Sequence, residues 1–298
     1  LMGSGANQTF AATGIGANTV TLGAGLGQSA TMTGSPGVVQ TVTLGGPGQS
    51  ATTGTGNDAV TTSLTNLAGS TVVMGTGTDT LTMSAVAGAA FSIGATAVSG
   101  GAAKVSGVTT LNLAALTGDS TVLTITPGAA LAITAPTDGI LSIAGTGSTI
   151  TVAQDAGEPL TLSGTSNYAV SGGTTSAITS TGTGTLQVTS SDNAQTVTSS
   201  AVTTVVGAAL GDTLTIAGTG AFTVTGVGTI TGVTVTEAGT ATGALTVSTV
   251  DTTASAITQV TGATGAFVLN AVGTGGTAAV TLTALASHAS QTINMTTT

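Results

Sequence analysis

The chain has 298 residues, of which only 4% are charged: one Lys or Arg, ten acids and a formal charge of −9, against roughly 25% charged residues in an ordinary soluble domain. So few cations exclude nucleic-acid partners, because neutralising phosphates needs clustered Lys and Arg, and the absence of cysteine excludes disulfides and thiolate metal sites. The mean hydropathy is positive, yet no stretch offers the about 20 mostly apolar residues of a spanning helix, and 2% aromatic content does not supply the girdles of a membrane barrel.

Residues 1–84 carry a repeat of about 21 residues, in the range that marks stacked structural units. Val20-Thr21-Leu22-Gly23 returns as Val42-Thr43-Leu44-Gly45, and Gly27-Gln28-Ser29-Ala30-Thr31 returns as Gly48-Gln49-Ser50-Ala51-Thr52. Residues 85–118 are less regular, and within them Gly107-Val108-Thr109-Thr110-Leu111-Asn112-Leu113 reads as an alternating strand. Across 119–298, apolar-x-apolar units recur, among them Leu123-Thr124-Ile125, Leu141-Ser142-Ile143, Leu160-Thr161-Leu162, Tyr168-Ala169-Val170, Phe222-Thr223-Val224 and Phe267-Val268-Leu269. Alternation of this kind, rich in β-branched residues and punctuated by Gly, Asp, Asn and Pro, predicts short half-buried strands joined by turns. No helix of four turns is expected.

The fold expected is all-β: a parallel β-solenoid with an N-terminal part at 1–84, an irregular transition at 85–118 and a C-terminal solenoid at 119–298. β-Sandwich domains are the alternative, but a sandwich core about 10 Å thick draws on larger side chains than this sequence supplies. Three strands per coil would need a longer period, so the 21-residue repeat favours two.

Two segments stand out as a site. Gly54-Thr55-Gly56-Asn57-Asp58-Ala59-Val60 and Gly75-Thr76-Gly77-Thr78-Asp79-Thr80-Leu81 share the pattern Gly-x-Gly-x-Asp-x-apolar. Carboxylate and backbone carbonyl oxygens are what a hard cation such as Ca²⁺ takes, and glycine turns expose carbonyls readily. The candidate metal-site residues are therefore Gly54, Gly56, Asp58, Gly75, Gly77 and Asp79, with Asp212 added from the fragment Gly211-Asp212-Thr213-Leu214. The same residues fit plain turns, in which Asp next to Gly closes an Asx-turn. The pattern resembles the calcium-binding nonapeptide of RTX proteins, with Thr53 and Met74 in place of that family's first glycine.

With its Thr/Ala/Gly/Val texture and near-absence of Lys and Arg, the chain as a whole resembles RTX-related bacterial surface-layer and secreted β-strand-repeat proteins. The resemblance implies an extracellular, calcium-dependent lattice or filament subunit, a homo-oligomer at the cell surface, with a cell-surface polysaccharide as a further partner. It also implies export by a type I system, in keeping with the lack of a basic segment followed by an apolar one at the start of the chain.

The remaining polar residues read as surface or turn positions: Asp119, Asp138, Asp155, Glu158, Asp192, Lys104 and His288. Tyr168, Phe222 and Phe267 read as core or rim. Asn7-Gln8-Thr9 and Asn294-Met295-Thr296 match the N-glycosylation acceptor pattern. An enzyme is not expected, since general acid–base work and oxyanion stabilisation need groups that one lysine, one histidine and no arginine do not provide. The alternative to a structural protein is a binding module, an adhesin segment or an ice-binding solenoid. Thr-x-Thr units occur, for instance at Thr31-Met32-Thr33, Thr41-Val42-Thr43 and Thr234-Val235-Thr236, but in the sequence they do not recur at one fixed place in every coil.

Overall fold

The computed structural model describes residues 1–14, 16–67, 69–84, 89–94, 104–106, 108–114, 120–126, 130–137, 140–155, 157–172, 176–189, 194–206, 213–225, 234–237, 241–251, 255–259, 264–273, 280–283 and 290–297. It divides into two compact units, Leu1–Thr151 and Val152–Thr298. Each is a parallel β-solenoid, as the alternation of short apolar units and glycine-rich turns predicts.

In the first unit the strands are β1 (Thr9–Thr13), β2 (Asn18–Thr21), β3 (Ser29–Thr33), β4 (Gln40–Thr43), β5 (Ser50–Thr52), β6 (Ala59–Ser63), β7 (Thr71–Val73), β8 (Thr80–Ser84), β9 (Ala89–Gly94), β10 (Lys104–Ser106), β11 (Thr110–Asn112), β12 (Ser120–Thr126), β13 (Leu131–Thr134) and β14 (Ile140–Gly145). Alternate strands stack. One sheet runs β1-β3-β5-β7-β10 and a second runs β2-β4-β6-β8-β11-β13. A third, β9-β12-β14, opens where the first ends. All these pairs are parallel. A coil is therefore two strands and two corners. Stacked positions in the early coils lie 18 to 22 residues apart, which is the sequence repeat made structural.

The second sheet shows why the pattern works. Its inward column is Val20, Val42, Val60, Leu81, Leu111 and Ile133, in register and buried throughout. In a strand successive side chains point to opposite faces, so the neighbours on either side of each point outward. The narrow core is filled by single branched residues, which is why the chain needs so few aromatics. Burying each such side chain contributes about 1.5–3 kcal/mol.

The one helix among the described residues is a single turn, α1 (Leu64–Leu67). The Ser63 Oγ accepts the Asn66 N–H at 3.2 Å, an N-cap, and Leu67 is buried beneath it.

The second unit repeats the design. One parallel ladder joins Tyr168–Gly172, Leu186–Thr189, Thr203–Val206, Phe222–Thr225, Leu245–Asp251, Ala266–Gly273 and Ser290–Thr297. The other joins Leu160–Gly164, Ala177–Ser180, Ala194–Ser199, Thr213–Ala217, Thr234–Glu237, Ser255–Gln259 and Val280–Thr283. Tyr168, Phe222 and Phe267 are all buried and fall in one column with Leu186, Thr203 and Leu245. The Tyr168 hydroxyl, carried inside, donates to the Ser163 carbonyl at 2.6 Å.

Candidate functional site: the buried polar corners

The Gly-x-Gly-x-Asp segments form the corner that leads into the second sheet of the first unit. Asp58 and Asp79 stand two residues before Val60 and Leu81, so the pleat turns their side chains inward with those core residues. They are 1% and 0% exposed. They belong to a polar column of Asn18, Gln40, Asp58, Asp79 and Thr109, one residue per coil.

Its members are linked from coil to coil. Asn18 Nδ2 donates to Gln40 Oε1 at 3.0 Å. The Gln40 N–H donates to Asp58 Oδ1 at 2.9 Å, and the Asp58 N–H donates to Asp79 Oδ1 at 2.8 Å. The Asp79 N–H donates to Thr109 Oγ1 at 2.7 Å, and that hydroxyl returns its proton to the Asp79 carbonyl at 3.1 Å. From Gln40 to Asp79 each corner leaves a backbone N–H pointing at the next coil, and the next coil's side chain receives it. A buried amide without a partner would cost about 1–3 kcal/mol, so the column is a structural necessity of the turn.

Each carboxylate satisfies only one of its oxygens this way. Asp58 Oδ2 and Asp79 Oδ2 are buried and have no hydrogen-bond partner. Burial raises the pKa of Asp79 above 3.8, the Asp58 N–H bond opposes the shift, and the Asp58 carboxylate adds to it.

The glycines have a packing role. A Cβ on Gly75 would collide with the Gly54 carbonyl, and one on Gly77 with the Gly56 carbonyl. Gly56 and Gly77 also hold φ of 142° and 151°, where side chains are strained. A Cβ on Gly54 would likewise run into the backbone of Gly34 and Thr33. The Gly-x-Gly pattern is thus set by how closely one coil's corner lies on the next.

The donor set for a cation follows from this. The corner supplies two unpartnered carboxylate oxygens, both interior, whereas Ca²⁺ takes about six to eight oxygens. Among the described residues no group of three or more His, Cys, Asp and Glu side chains stands together. As built, the pair does not complete a Ca²⁺ shell. Gly211 and Asp212 lie outside the described residues, as do Asp119, Asp138, Asp192 and His288.

The opposite corner holds a second polar column that the sequence reading missed: Gln8, Gln28, Gln49 and Ser70. Gln28 Nε2 donates to the Gly3 and Gly5 carbonyls at 2.6 and 2.7 Å. Gln49 Nε2 donates to those of Gly23 and Gly25 at 2.5 and 3.0 Å, while its Oε1 accepts the Gly45 N–H at 3.0 Å. Gln49 in turn donates its backbone N–H to Ser70 Oγ at 3.0 Å. The residue before each member has positive φ: Asn7, Gly27, Gly48 and Gly69. Asn is the non-glycine residue that tolerates this region best, so Asn7 occupies the turn position that glycine holds in later coils. The repeated Gly-Gln-Ser was the visible signal; that its glutamine is buried was not.

Asp155 and Glu158 are half-buried beside Gly157, and Gln154 Nε2 donates to the Glu158 carbonyl at 2.5 Å. Asn294 Nδ2 donates to Asn270 Oδ1 at 2.8 Å, an outward ladder on the second unit. Comparison of the chain with protein families, with curated proteins and with solved structures finds no match.

Proposed function

We propose that the chain is an extracellular, self-assembling structural protein, a subunit of a surface lattice or filament, without enzymatic activity. The observation that carries this reading is the uncharged outer surface of the ladders. Apart from Lys104 in β10, the outward strand positions whose exposure is described bear Thr, Ser, Ala, Val, Ile, Asn or Gln, and none of these is charged. Surfaces with so little charge favour association over dispersal, and a coil stack whose corners interlock from turn to turn gives a stiff element to build with. The homo-oligomer is the partner this surface suits, and its weakly polar, hydroxyl-rich faces also suit a cell-surface polysaccharide.

Sedimentation velocity of the purified chain over a concentration series tests the reading. Fast-sedimenting species that grow with concentration are expected; one slow species at every concentration would overturn it.

Calcium stabilisation at Asp58 and Asp79 is the second part of the proposal. The two unpartnered Oδ2 atoms support it, and the incomplete donor set stands against it. A ligand that binds only the folded chain raises its melting temperature. A rise on adding Ca²⁺ that disappears in Asp58→Ala/Asp79→Ala would establish the pair as ligands. No rise, or an unchanged one in the variant, would remove them.

A further inference from the structure

Thr53 opens the corner that Asp58 closes. It stands two residues after the inward Ala51, as Asp58 stands two before the inward Val60, so the pleat turns both side chains into the corner. Thr53 is buried, and its Oγ1, like Asp58 Oδ2 and Asp79 Oδ2, is enclosed without a hydrogen-bond partner. Its own column offers none. The register that pairs Ala30 with Ala51 and Ala51 with Val72 sets Thr53 between Met32 and Met74, both buried. A hydroxyl between two thioethers has to find its partner across the corner.

The carboxylates lie on that side. Asp79 Oδ1 accepts the Asp58 N–H, which carries the Asp79 carboxylate to the level of the coil that contains Thr53 and Asp58. The Asp58 carboxylate reaches in the same way to the coil of Gln40, one strand spacing of about 4.8 Å further on. Three buried oxygens without partners thus gather at one corner. Buried polar atoms are ordinarily paired, and a group of them left open marks the place of a water or an ion. Two of the three belong to carboxylates, and an ionised carboxylate is buried only when it is paired or holds a metal. The hydroxyl beside them is a neutral hard donor. Ca²⁺ accepts an irregular set of oxygens from two coils, where Mg²⁺ demands a near-ideal octahedron.

We infer that Thr53 is a ligand of the Ca²⁺ site at this corner, its Oγ1 joining Asp58 Oδ2 and Asp79 Oδ2, with water in the remaining positions; the inference rests on the calcium reading of Asp58 and Asp79. It also limits the number of such sites. In the next coil Met74 takes the place of Thr53, and a thioether is a soft ligand suited to other metals. The two Gly-x-Gly-x-Asp corners therefore hold a single ion between them.

Calorimetric titration of the purified full chain with CaCl2, and thermal melts with and without Ca²⁺, test this. The wild type is expected to bind one ion that Asp58→Ala/Asp79→Ala does not, and to melt higher with Ca²⁺. Thr53→Val keeps the shape and removes the oxygen. It is expected to bind about tenfold more weakly or worse, since losing even a supporting group at a metal site has that effect, and to lose most of the rise. In chelator it should melt no lower than the wild type, because valine replaces an unpartnered hydroxyl. Thr53→Ser keeps the oxygen and is expected to keep the rise. Should Thr53→Val fail to fold by circular dichroism, Thr53→Ala takes its place in the titration. A rise unchanged in Thr53→Val but abolished in Asp58→Ala/Asp79→Ala overturns the inference and leaves the calcium reading standing. Equal loss in Thr53→Val and Thr53→Ser assigns the residue to packing and also overturns it. No rise in the wild type overturns both.

Discussion

The Asp58 N–H donates to Asp79 Oδ1 at 2.8 Å across one coil, while the remaining oxygen of each carboxylate is buried without a partner. The bond ties the coils together and brings the Asp58 carboxylate near that of Asp79. The pKa of Asp79 is raised chiefly by burial, so the folded state holds its proton to higher pH than the unfolded chain does. Below about pH 3.8, the unperturbed value, both states are protonated and the stabilising contribution is complete. It is lost as pH rises from there through the raised folded-state value, because only the unfolded chain has released its proton. In chelator, the melting temperature should fall from pH 4 towards neutrality. Asp79→Asn removes the titrating group while keeping an acceptor for the Asp58 N–H, and should flatten that dependence. An unchanged slope in the variant would remove Asp79 as its source.

The glycine corners separate steric from conformational demands. Gly37 has φ of 83° with open space where a Cβ would go, so Gly37→Ala should cost only the left-handed penalty, about 1–2 kcal/mol. Gly75→Ala drives a methyl into the Gly54 carbonyl and should cost more. Denaturant melts of the two variants check the order.

At the opposite corner, Gln49→Ala should cost about 3 kcal/mol or more, since it strips a partner from the Gly23 and Gly25 carbonyls and from the Gly45 N–H, each worth about 1–3 kcal/mol when orphaned in the interior. Gln49→Glu keeps the acceptor and loses the donor, so it should be no better. Thermal melts of both variants measure this.

In the core, Leu81→Ala should cost about 2–5 kcal/mol, the range for truncating a buried leucine, because Leu81 is fully buried between Val60 and Leu111. Exposed Thr31→Ala, on the outer face of β3, should change stability by about 0.5 kcal/mol or less. Urea titration of the pair distinguishes a packed column from a loose one.

The all-β class, the parallel coils and the two-strand period were legible because Val20, Val42 and Val60 recur with Thr on either side, and one-faced burial of that kind leaves a strand few alternatives. The Asp58 and Asp79 corners were legible as turns, but the direction of their side chains was not. It follows from their standing two residues before Val60 and Leu81, a parity that matters only once the strand starts are known. Gln28, Gln40 and Gln49 were missed because amide side chains usually face solvent, and only the stacked corner carbonyls and amides explain their burial. The stacking of β11 on β8 was hidden by a corner of unequal length, with stacked positions 30 residues apart there against 18 to 22 in the earlier coils.

The proposed ordered extracellular assembly of these coils is put to the test by negative-stain microscopy of the purified chain with Ca²⁺ and with chelator. Ordered sheets or filaments, more extensive with Ca²⁺, are expected. Monodisperse particles under both conditions, at concentrations where sedimentation also finds a single species, would contradict it.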